Sequence, residues 1–105
     1  MVPSHQLVLQ FAGDSLDDFD ELVALEDRLI ECLGDVALVD GHDIGSGERN
    51  IFILCSDLNG VFALLEPVLA QARVLDTVVV ASRPIDSEEY AVVWPVGYNA
   101  VFHIA

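Results

Sequence analysis

Polar and apolar residues alternate from His5 to Phe11, with Leu7, Leu9 and Phe11 on one side and Gln6, Val8 and Gln10 on the other. That period predicts a strand with one well-buried face. Gly13-Asp14-Ser15 breaks it, and Ser15 followed three residues later by Asp18 predicts a helix N-cap with a carboxylate in the first turn. From Leu16 to Leu33 the residues Leu16, Phe19, Leu22, Val23, Leu29, Ile30 and Leu33 fall on one helical face, with acids opposite, and Gly34 closes the helix.

Two strands, Val36 to Asp40 and Arg49 to Cys55, follow, joined by a polar, glycine-bearing connection from Gly41 to Glu48. Ile51-Phe52-Ile53-Leu54 is apolar at every position, which predicts an interior strand covered on both faces. Ser56-Asp57 caps a second helix from Leu58 to Arg73, with Leu58, Val61, Leu65, Val68, Leu69 and Ala72 toward the core and Pro67 on the solvent side. Thr77 to Ala81 reads as a strand, Arg83 to Ser87 as a loop and Tyr90 to Trp94 as a further strand. Ala100 to Ile104 is a candidate sixth strand.

The order β-α-β-β-α-β-β describes a single α+β domain, a ferredoxin-like plait with an antiparallel sheet and both helices on one face. The reverse face would carry Val8, Phe52 and Leu54, too apolar to be left wet. Either residues 95–105 fold over it or another chain does; the expectation is a homodimer through that open face.

Charge narrows the function classes. Half of the 18 Asp and Glu residues lie between Asp14 and Asp35, the chain has four Arg and no Lys, and the formal net charge is −14. Such a surface repels nucleic acid and anionic lipid and attracts basic partners or cations. No basic stripe exists for nucleic acid, and no apolar run is long enough to span a membrane. The N-terminal residues do not read as a signal peptide. Cys32 and Cys55 lie in apolar segments without C-x-x-C spacing, which predicts two reduced thiols behaving as small hydrophobes in a cytoplasmic, bacterial-type protein. The 53% hydrophobic content argues for a folded chain despite the charge.

Three sets of residues are candidates for function. Asp17, Asp20, Glu21, Asp27 and Glu31 form the acidic face of the first helix, a docking surface for a basic protein. Glu26 falls between Val23 and Ile30 inside the stripe expected to face the core, where an unpaired carboxylate is expensive. It needs a partner, Arg49 or His5, or water at the sheet's end; the functional alternative is a ligand-binding or acid/base carboxylate. The densest chemistry is Asp40, His42, Asp43, Ser46, Glu48 and Arg49 in the connection between the second and third strands, with Trp94 as an aromatic neighbour for a ligand.

Asp40, His42 and Asp43 match no metal motif, even with His5 or His103 added. Gly45-Ser46-Gly47 is neither a P-loop nor G-x-G-x-x-G, and Ser46 lacks a nucleophile elbow. A long hairpin, with glycines at positive φ, is the reading preferred over a metal or cofactor site. The segment Val39-Asp40-Gly41-His42-Asp43-Ile44-Gly45-Ser46-Gly47-Glu48-Arg49-Asn50-Ile51-Phe52-Ile53, with Leu25-Glu26-Asp27 before it and Trp94-Pro95 after it, resembles a family of small uncharacterised bacterial proteins. The resemblance implies a ferredoxin-like α/β domain and carries over no catalytic or binding residue.

The expected function is therefore a non-enzymatic acidic domain that docks a basic partner, in the manner of an immunity or inhibitor protein. The alternative is a small-molecule- or metal-sensing regulatory domain acting as a homodimer. An enzyme would have to rest on Asp and His residues in no recognisable arrangement.

Overall fold

The structure is a computed structural model and describes residues 2–104. Its elements are β1 (His5–Ala12), α1 (Leu16–Leu33), β2 (Ala37–Gly45), β3 (Glu48–Cys55), α2 (Leu58–Gln71), β4 (Val79–Pro84) and β5 (Ala91–Trp94). The five strands form one antiparallel sheet in the order β2-β3-β1-β4-β5. Two interleaved β-α-β units joined by a hairpin make this a ferredoxin-like plait, extended by β5 at one edge.

One core holds it together. Leu7, Leu9 and Phe11 of β1 and Ile51, Ile53 and Cys55 of β3 meet Leu22, Leu25, Leu29 and Leu33 of α1 and Val61, Leu65 and Leu69 of α2. The capping signals act as the sequence predicts. The Ser15 hydroxyl accepts from the Asp18 N–H while the Asp18 carboxylate accepts from the Ser15 N–H at 3.0 Å, a reciprocal box. Asp57 accepts from the Gly60 N–H at the start of α2.

α1 differs from its sequence reading in rotation. Leu25, not assigned to the stripe, is buried, whereas Leu16, Phe19 and Ile30 are 76, 36 and 51% exposed. The apolar stripe of this helix is wider than the sheet beneath it: β2 is the sheet's edge, so the part of the helix overhanging that edge is only partly covered. Cys32 is also exposed, and only Cys55 behaves as a buried hydrophobe. Burial pushes the Cys55 thiol pKa up, with the nearby Asp57 charge adding to it.

The long connection expected between the second and third strands is instead ladder. β2 runs on to Gly45, and the turn is two residues, Ser46 (φ 55) and Gly47 (φ 81), with the sign pattern of a type I′ turn. A bulge separates the Val39↔Ile53 and His42↔Ile51 pairs, so Asp40 and Gly41 (φ 112) stand opposite Phe52 alone. β4 likewise continues through Arg83 and Pro84, read from sequence as loop.

The candidate sixth strand is absent among the described residues; residues 95–104 cross the reverse face without joining the sheet. The Gln10 side-chain amide donates to the His103 carbonyl, and the Phe102 ring meets Tyr90 edge-on at 5.2 Å. Val8 and Ala81, paired with each other on that face, are fully buried. The chain's own tail thus covers the centre of the face whose bareness motivated the homodimer, while Leu38 remains half exposed toward the β2 edge.

Candidate functional site

The bulge in β2 decides where the chemistry of residues 40–49 goes. Ala37 and Val39 face the helices; in an unbroken strand His42 and Ile44 would then face the opposite side. Two residues against one at the bulge reverse the alternation, so His42 pairs with Ile51 and Ile44 with Arg49 on the helix-bearing face. Asp43 and Glu48 take the reverse face, and Ser46 sits at the exposed tip of the turn. The six residues that looked like one cluster are divided by the sheet.

On the helix side, His42 Nδ1 lies 3.0 and 3.1 Å from the two carboxylate oxygens of Glu26. Glu26 therefore has a partner, but neither of those expected, and its side chain is 13% exposed against 29% for His42. Phe19 packs edge-on against the His42 ring at 5.8 Å. Arg49 ties α1 to the sheet from the same face: its guanidinium donates to the carbonyls of Asp18 and Ala12, at 3.1 and 2.8 Å, and lies over the Phe11 ring. Glu21 is 3.6 Å and Asp18 3.8 Å from it. Hydrogen bonds from Ser15, its backbone first and then its hydroxyl, hold the Asp18 carboxyl below its usual range; the Arg49 charge adds the least.

On the reverse face Asn50, fully buried, donates to Glu48 at 2.9 Å and to Asp43 at 3.4 Å, and Gln10 donates to both Glu48 and Asn50. These bonds make a buried polar network beneath the tail. Among the described residues no group of three or more His, Cys, Asp or Glu side chains is placed to hold a metal ion. His5 bonds to Ser4 instead. Trp94 is remote from this network: its indole N–H donates to the Leu75 carbonyl and its ring packs on Phe62, on the helix side near the β5 edge. It fills core volume and is no ligand platform for residues 40–49.

The acidic residues of α1 remain. Asp17, Asp20, Asp27 and Glu31 are exposed, and Glu21 leans toward Arg49. Between them and the β2 edge stand Phe19, Ile30 and Leu16, which the sequence reading had placed in the core. The result is a flank where apolar side chains are bordered on one side by carboxylates and on the other by an unpaired strand edge. The bulge and the exposed carboxylates of Asp40 and Asp43 discourage strand addition there. On the other flank of α1 the structure gathers arginines that are scattered in sequence, a grouping for which linear spacing holds no signal.

No family model matches this chain, and no curated protein matches it. Among solved structures it is similar to a de novo designed protein with ferredoxin fold determined by solution NMR, at 10% identity and a TM-score of 0.49, over 98% of this chain and 100% of that one. No helix among the described residues is long and apolar enough to cross a membrane. The ferredoxin-like plait is established by the strand order and helix placement of the chain itself.

Proposed function

We propose that this chain is a non-enzymatic binding domain that docks a basic partner protein through the outer flank of α1. The observation that carries the reading is the exposure of Leu16, Phe19 and Ile30 beside Asp17, Asp20, Asp27 and Glu31. Apolar anchors bordered by like charge are the composition of a surface that is steered to its partner electrostatically and then held by burial. The matching partner presents Arg or Lys around an apolar centre. An immunity- or inhibitor-like role toward a basic toxin or nuclease is the sharpest form of this reading. Two free thiols suit a reducing compartment, the cytoplasm.

The test is capture of defined basic proteins on immobilised wild type and on Asp20→Lys/Asp27→Lys and Ile30→Ser variants, at low and high salt. Specific docking is lost in both variants and weakens with salt. Binding indifferent to the variants and to salt overturns the proposal. The alternative, a small-molecule-sensing regulatory domain, draws support from a separate cleft.

A further inference from the structure

Three of the chain's four arginines, Arg28, Arg49 and Arg73, line one cleft of about 420 Å³ on the flank of α1 opposite Leu16, Phe19 and Ile30, and the one carboxylate in its lining, Glu21, lies 3.6 Å from Arg49. Its apolar lining is Phe11, Leu22 and Leu25, with Val74 from the turn after α2. Arg49 is held by Asp18 and Glu21, and its buried Nε has no hydrogen-bond acceptor among the described residues. Arg28 donates to the neutral Gln71 side chain at 3.2 Å. Among the described residues neither Arg28 nor Arg73 has a carboxylate in ion-pair range, in a chain with 18 acids and four bases.

The backbone supplies a second, independent observation. α2 ends with the Val74 N–H bonded to the Leu69 carbonyl and the Arg73 N–H to the Ala70 carbonyl, both at 3.0 Å. That is a Schellman ending, whose left-handed residue is usually glycine. Here it is Arg73, at φ 61. A side chain kept in a conformation that disfavours it is a pointer to a use for that side chain.

We propose that this cleft binds a small monocarboxylic acid with an apolar body. Arg28 and Arg73 take the carboxylate, and Phe11, Leu22 and Leu25 take the body. Guanidinium groups match carboxylate geometry and remain charged at all relevant pH. The volume lies within the range of small-ligand sites, roughly 300–1,000 Å³, toward its lower end. The surrounding field favours one negative charge over several: a molecule of net charge −14 repels a polyanion in proportion to the ligand's charge. This inference does not rest on the docking proposal, and its variants leave Asp20, Asp27 and Ile30 untouched.

The test is titration of the full chain, followed by amide NMR shifts and calorimetry, with three probes: sodium octanoate, octanol and inorganic phosphate. Octanoate is expected to bind, shifting Leu22, Leu25, Arg28 and Arg73. Arg73→Gly is expected to melt at a higher temperature, because glycine relieves the left-handed residue, and yet to bind octanoate at least about tenfold more weakly, the loss of one charge-assisted contact. Arg28→Ala should weaken binding similarly. Octanol binding as tightly as octanoate, phosphate binding more tightly, no octanoate binding, or unchanged affinity in Arg73→Gly each overturns the proposal.

Discussion

Glu26 and His42, 16 positions apart, meet at 3.0 Å only because a bulge at Asp40-Gly41 turns His42 to the helix side of the sheet. One irregularity in the ladder thus gives a carboxylate at the margin of the helical core stripe its partner. It also sets the edge of the domain, because it bends and blunts β2 where another strand would otherwise add.

A double-mutant cycle on this pair measures what the contact contributes. Glu26→Gln and His42→Gln are each expected to destabilise the fold mildly, with a coupling of about 0.5–1.5 kcal/mol, the usual net worth of a hydrogen bond. Additive effects in chemical denaturation would show that the two groups are neighbours without being partners.

The rotation of α1 makes adjacent residues behave oppositely. Leu29→Ala removes a fully buried side chain and should cost about 2–5 kcal/mol. Ile30→Ala, half exposed at the overhanging edge, should stay within roughly 0.5 kcal/mol of wild type. Comparable losses at the two positions would return Ile30 to the core.

The Asp18 cap gives stability an acid limb. Its folded pKa is lowered from 3.8, so the unfolded chain takes up the proton first as pH falls. The stabilisation is therefore fully present above the unfolded value and is lost as pH falls through the lowered folded one. Asp18→Asn should be less stable than wild type at pH 7, with the gap closing below about pH 4. Gly13→Ala should act in the same direction, since a Cβ at that left-handed glycine (φ 103) would overlap the Asp18 carboxylate. An unchanged gap at acid pH would remove the carboxylate from the account.

The tail acts as a lid on the sheet. Phe102→Ala should cost about 1–2 kcal/mol, less than the 3–5 of a fully buried phenylalanine, because the side chain is partly buried rather than enclosed. Truncation before Val96 should uncover Val8 and Ala81 and drive self-association, measured by sedimentation; the homodimer expected of a bare sheet would then appear in the shortened chain. A monomeric truncated chain would deny the tail this role.

Element type and order were legible from sequence wherever one short-range rule acts alone. Strand alternation around Leu7 and Leu9, the Ser15–Asp18 box, the Gly34 stop and the core spacing of α2 each depend on neighbours a few residues apart. The plait follows, because few topologies accept that order of elements. What linear pattern left undecided is everything set by the width and edges of the sheet. Helical periodicity identifies apolar residues on α1 but not how many of them the sheet can cover, so Leu25 was missed and Ile30 overcounted. Alternation cannot see a bulge, so residues 41–48 read as a loop and nothing in their spacing puts His42 on the helix side beside Glu26. Arg28, Arg49 and Arg73 come together only when α1, β3 and the end of α2 pack around one cleft, a distance that only the folded chain defines.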